Sequence, residues 1–64
     1  MSANYIIKTN DNNYFCGWNQ LGQICMTDES KANLAYRMNR PIAERTIPKI
    51  ETFTNRKCEI VRTA

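Results

Sequence analysis

Three thiols, two evenly spaced carboxylates and a group of aromatic and cationic side chains are what this chain offers for chemistry. The thiols are Cys16, Cys25 and Cys58, odd in number and without a C-x-x-C pair. A nucleophilic cysteine needs a base within hydrogen-bond reach, and the sequence contains no histidine. Lys57 could favour a thiolate at Cys58, but a buried strand thiol is the favoured reading there. Glu44 and Glu51 stand seven apart and could share a helical face. Paired-carboxylate catalysis needs a pocket that raises one of the two pKa values, and no such pocket is implied. Gly17 and Gly22 lack the following Lys-Ser/Thr of a phosphate loop. Three cysteines without histidine leave a zinc site short of a ligand. These residues therefore predict a chain that is not an enzyme and needs no metal or cofactor.

Binding is the chemistry that remains. Tyr14, Phe15 and Trp18 lie close together, and Lys8 precedes them. On a sheet surface such aromatics could stack nucleic-acid bases or anchor a protein interface, where Trp, Tyr and Arg carry much of the energy. The net charge is +3 and unevenly spread. Residues 1–36 hold Lys8 and Lys31 against Asp11, Asp28 and Glu29, a balance of −1. Residues 37–64 hold Arg37, Arg40, Arg45, Lys49, Arg56, Lys57 and Arg62 against Glu44, Glu51 and Glu59, a balance of +4. Such asymmetry suits nucleic acid or an acidic protein. Arg45 and Lys49, one helical turn apart, form the centre of the candidate cationic track, with Arg37, Arg40, Arg56 and Arg62 extending it. No RNP-type or helix-turn-helix pattern accompanies them.

The elements that must position these groups are legible from pattern. Sixty-four residues make a single domain, 1–64, near the lower size limit for independent folding. Residues 4–9 and 14–18, rich in Ile and aromatics, favour strands, and Asn10-Asp11-Asn12-Asn13 between them favours a turn with left-handed backbone. If Thr9 faces Tyr14, one sheet face carries Tyr5, Ile7, Tyr14, Cys16, Trp18 and Cys25, and the other Ile6, Phe15, Ile24 and Met26. A slip of one residue would exchange the two faces. Asn19-Gln20-Leu21-Gly22 predicts a second turn, Gln23–Met26 a third strand with Trp18 opposite Gln23. Thr27 or Asp28 can cap a helix running to Met38 or Asn39, where Pro41 disfavours helical geometry at Arg40. Ala43, Ile47, Ile50 and Phe53 mark a second helix, with a kink or restart near 46–48 at Pro48 and a left-handed stop at Asn55. Cys58–Arg62 is a final strand, with Cys58 and Ile60 on one face and Glu59 and Val61 on the other, pairing beside the first strand. The order β-β-β-α-α-β is an α+β fold in two layers, an antiparallel sheet with helices on one face. No apolar run approaches the length of a membrane span. The opening MSANYIIK lacks the apolar core of a secretion signal. Together with the free thiols, this predicts a cytoplasmic setting.

The combination YIIKTNDNNYFCGW, then a short strand ending in Thr27-Asp28, an Ala-containing helix and a terminal CEIV resembles small phage and prophage accessory proteins. The matching positions are Tyr5, Ile6, Ile7, Lys8, Tyr14, Phe15, Gly17, Thr27, Asp28, Ala32, Glu59, Ile60 and Val61. Pro41 and Pro48 depart from that pattern, which often keeps one long Lys/Glu-rich helix. The resemblance implies a hairpin-plus-helix α+β domain and a context: such genes frequently encode inhibitors of host defence, anti-CRISPR proteins among them.

Two short helices can roof only one side of a sheet that is apolar on both. The uncovered side then predicts an interaction surface. The reading that follows is a non-enzymatic inhibitor, anti-CRISPR-like, acting in a bacterial host cell by occlusion or mimicry. Its partner would be a host protein or ribonucleoprotein complex, met by Tyr14, Phe15 and Trp18 as anchors and Arg37, Arg40, Arg45 and Lys49 as steering charges. A small basic nucleic-acid-binding protein is the alternative. A sheet-to-sheet homodimer is a further way to cover the same face.

Overall fold

The structure is a computed structural model and describes residues 4–63. Strands β1 (Tyr5–Thr9), β2 (Tyr14–Trp18), β3 (Ile24–Thr27) and β4 (Cys58–Arg62) form one sheet in the order β3-β2-β1-β4. Every neighbouring pair is antiparallel. A 3₁₀ helix (Glu29–Leu34) and an α-helix, α1 (Arg40–Thr54), lie between β3 and β4. The fold is the expected two-layer α+β arrangement, and β4 returns beside β1 as anticipated.

The register of the first hairpin differs from expectation by one residue. Lys8, not Thr9, faces Tyr14. The turn is tighter than four residues because Thr9 closes it. Its N–H donates to the Asn13 carbonyl at 2.8 Å, its hydroxyl donates to the Asp11 carboxylate, and the Asn13 N–H donates to that hydroxyl at 3.0 Å. Asn12 takes the left-handed conformation, φ 65°, which Asn tolerates better than most residues.

The second hairpin contains a bulge. Phe15 pairs with Met26 and Gly17 with Cys25, so Cys16 and Gly17 together oppose one residue of β3. Gly17 has φ +110°, a backbone state that suits glycine. The extra residue inverts the alternation beyond it. Trp18 therefore joins Phe15 on the same face, opposite Ile24 and not Gln23. Register and bulge together regroup the side chains. Ile7, Phe15, Met38, Ala43 and Ile50 form the core, with Ile24, Met26, Ile47, Cys58 and Ile60 packed against it. Ile6, Lys8, Tyr14, Cys16, Cys25, Glu59 and Val61 lie on the other face, outside that cluster.

The segment expected to be a first α-helix is only a 3₁₀ helix, capped by Asp28, whose side chain accepts from the Ser30 N–H at 3.1 Å. Lys31 already leaves helical geometry. From Ala35 the chain is extended, and residues 36–38 form a strap between the diverging ends of β1 and β2. The Tyr36 N–H donates to the Phe15 carbonyl at 2.8 Å, and Met38 exchanges bonds with Tyr5 at 2.9 and 3.1 Å. Sheet groups that a splayed hairpin would leave unpaired are satisfied by the strap.

Helix α1 begins at Arg40, so Pro41 does not exclude Arg40 from the helix; Asn39 is the cap, its side chain accepting from the Ile42 N–H at 3.1 Å. Proline is well placed in this first turn because its missing N–H has no helical partner there. Pro48 lies within one continuous helix, without a restart. Its ring is exposed, on the face away from Ala43, Thr46 and Ile50. Asn55 ends the helix in the left-handed conformation, φ 58°, as expected. Ala43, Ile47 and Ile50 press α1 onto the β1 and β4 side of the sheet. Among the described residues no helix is long and apolar enough to cross a membrane.

Candidate functional site

The bulge and the strap converge on a cluster of three aromatic rings. Phe15 is fully buried, and Trp18 and Tyr36 are 45% and 43% exposed. The three rings meet edge to face: Phe15–Trp18 at 4.9 Å, Trp18–Tyr36 at 5.6 Å and Phe15–Tyr36 at 5.9 Å between centroids. Such contacts contribute about 0.5–1.5 kcal/mol per pair beyond burial. Gly17 lies against the third ring: a Cβ there would touch Tyr36 Cδ1 at 3.4 Å. The result is a ledge of two half-exposed rings fixed to a buried one. Arg37 follows Tyr36 in the chain and is exposed.

The residues expected to act together are separated by this arrangement. Of the three expected anchors only Trp18 sits on the ledge. Phe15 is inside the core and supports the ledge from behind. Tyr14 is half-buried on the opposite sheet face, because the bulge moves Trp18 away from it. A base-stacking platform of Tyr14, Phe15 and Trp18 therefore does not form.

The cations are also dispersed. Arg40 pairs with Glu44 at 3.1 Å, and its guanidinium carbon lies 5.8 Å from the Tyr5 ring centre. Arg45 and Lys49 are exposed on α1. They share a flank with Ile42 and Phe53 at helical spacing, and both of those apolar side chains are exposed. Arg37, Arg45 and Lys49 make no ion pair within the described residues.

The open sheet face presents Ile6, Tyr14, Cys16, Cys25 and Val61 around Lys8 and Glu59, which are register partners. It is less exposed than expected: Ile6 is only 8% accessible and most of its neighbours are half-buried. The large exposed apolar side chains are instead Trp18, Leu21, Leu34, Tyr36, Ile42 and Phe53.

The groups with potential reactivity are held in check. Cys58 is half-buried, and burial, then Glu51 and Asp11, push its thiol up, opposite to the activation that Lys57 could provide. A depression of about 170 Å³ is lined by Glu51, Asn55, Arg56 and Lys57. Its carboxylate accepts from the Cys58 N–H at 3.0 Å and so fastens α1 to β4.

Tyr36 is the site residue that helical reading misses. The signal was available: Tyr36-Arg37-Met38-Asn39 alternates apolar and polar residues, the period of a strand. Comparison with protein-family models, curated proteins and solved structures finds no match to this chain.

Proposed function

We propose that this chain is a non-enzymatic binding protein that occupies a surface on a protein partner, anchored by Trp18 and Tyr36 and steered by Arg37. The observation that carries this reading is the ledge itself. Two large rings, each more than two-fifths exposed, are held by mutual edge contacts and by buried Phe15. Anchors fixed before binding lose little rotamer freedom on association, and Trp, Tyr and Arg are the residues that dominate interface energies. The resemblance to phage accessory proteins supports a setting in a bacterial host cell, with a component of a defence system as the target and steric occlusion or mimicry as the mechanism.

Nucleic-acid binding is the second reading, supported by Arg37, Arg45 and Lys49 in the basic half of the chain, which make no ion pair among the described residues. It is the weaker one because Tyr14 and Trp18 lie on opposite faces, and stacking proteins align their aromatics on one surface.

Tagged chain incubated with nuclease-treated bacterial lysate, and separately with random oligonucleotides, separates the two. The protein reading expects a stoichiometric partner retained at high salt and lost in Trp18→Ala and Tyr36→Ala variants that remain folded. Retention of oligonucleotides, weakening steeply with salt and insensitive to those substitutions, would overturn it in favour of Arg45 and Lys49.

A further inference from the structure

The open sheet face holds two thiols that the docking reading does not use. The bulge sets Cys16 and Gly17 together against Cys25. Gly17 has no side chain, so Cys16 is the neighbour that Cys25 meets across the strands. Both are half-buried and free. Gly17 is the direct register partner of Cys25, and Cys16 is the other residue that the bulge sets against it. A disulfide spans Cα separations of about 4.4–6.8 Å, and Cys25 is near enough to act on the Cys16 thiol. Cys58 is excluded from the pair. It lies on β4, at the far end of the order β3-β2-β1-β4 from β3, and packs against the core on the covered face.

From this juxtaposition we infer that Cys16 and Cys25 form a redox site: a cross-strand dithiol that low-molecular-weight disulfides convert to an intramolecular disulfide. One thiolate attacks a sulfur of the small disulfide, forming a mixed disulfide and releasing one small thiol. The neighbouring thiolate then attacks the protein sulfur of that mixed disulfide and releases the second. The protein gives up two electrons and two protons, and both end on the two small thiols. Burial, and then the neighbouring Cys25, push the Cys16 thiol up, which slows the exchange at neutral pH and speeds it in mild alkali.

Closure has a structural consequence. β3 is an edge strand, joined to the sheet through β2 alone. The bond closes a loop of about ten residues, which in the chain-entropy account raises the folded-to-unfolded ratio about a hundred-fold. The inference does not depend on what Trp18 and Tyr36 bind.

The test equilibrates the folded full-length chain in mixtures of reduced and oxidised glutathione at mildly alkaline pH. Samples are quenched with acid, and intact mass and a non-reducing peptide map are read. The expected product is a monomer lighter by about 2 Da, linked Cys16 to Cys25. The same chain in denaturant should distribute its bonds over all three cysteine pairs. Cys16→Ser and Cys25→Ser variants should stop at the mixed disulfide on the remaining strand thiol. A folded chain that gives the denatured distribution, only mixed disulfides, or chain-to-chain bonds would overturn the inference. The folded and denatured wild-type comparison decides this even where a serine variant is unstable.

Discussion

Alanine at Gly17 should cost far more stability than alanine at Gly22, although both glycines have positive φ. Gly22, at φ +78°, sits in a turn with nothing within 4 Å of a new Cβ. A left-handed alanine carries about 1–2 kcal/mol of strain, offset by about 0.4–1 kcal/mol from a stiffer unfolded chain. The net cost at Gly22 is therefore about 0.5–1 kcal/mol. Gly17, at φ +110°, lies farther from the left-handed well, and its Cβ would meet Tyr36 Cδ1 at 3.4 Å. Strain there belongs to the upper part of the range of about 1–3 kcal/mol for sparsely populated backbone, giving a net cost of about 2 kcal/mol. With a urea slope of about 1 kcal/mol per molar for so short a chain, the midpoint should fall by about 2 M for Gly17→Ala and by less than about 1 M for Gly22→Ala. Trp18, the sole tryptophan, reports both transitions. Its native emission should change only in Gly17→Ala, where relief of the backbone strain at φ +110° shifts the bulge that carries the Trp18 ring. Equal costs for the two variants, or a neutral Gly17→Ala, would refute the bulge and with it the placement of Trp18 beside Phe15.

Other perturbations test the elements that hold the ledge in place. Asn39→Ala removes the acceptor for the Ile42 N–H and should cost about 1 kcal/mol in urea unfolding, while Asn39→Asp should be nearly neutral. Asn55→Ala places a left-handed alanine at the end of α1 and should cost about 1 kcal/mol, whereas Asn55→Gly should cost nothing measurable. Acid should weaken the fold in a defined direction. The Thr9 hydroxyl, with help from Arg56 and Asn13, holds Asp11 below the ordinary aspartate value, and the Ser30 hydroxyl does the same for Asp28. A carboxyl lowered in the folded state contributes stability that is present above its unfolded pKa and is lost as pH falls through the folded value. Thermal midpoints should therefore decline as pH drops below the ordinary aspartate range, and Asp11→Asn should flatten part of that decline.

The strands are readable because β-branched and aromatic residues cluster between turn-forming Asn, Asp and Gly, and because Cys58–Arg62 carries the β-branched pair Ile60 and Val61. The Asn55 stop was readable for the same local reason. Register was not. The choice between Thr9 and Lys8 opposite Tyr14 depends on hydrogen bonds made by the Thr9 hydroxyl within the turn, and either choice leaves apolar residues on both faces. The bulge was hidden because Gly17 has several structural meanings in a strand, and only the pairing with Cys25 selects one. The first helix failed because Ala32, Ala35 and Tyr36 fit a helical stripe, while tertiary pairing with Phe15 and Tyr5 draws the Tyr36–Met38 segment into extended form. Those three differences disperse the expected site: Trp18 lies on the covered face, Phe15 is inside, Tyr14 is on the open face, and Tyr36 takes its place on the ledge.

The most direct measurement of the docking claim is quenching of Trp18 emission by a neutral quencher in the free chain and in the complex isolated with its captured partner. Trp18 is 45% exposed in the free chain, so quenching should be substantial there. Binding through the ledge predicts that it drops to the level of a buried indole, with a shift of emission to shorter wavelength. Quenching unchanged in a saturated complex would contradict the ledge as the docking surface.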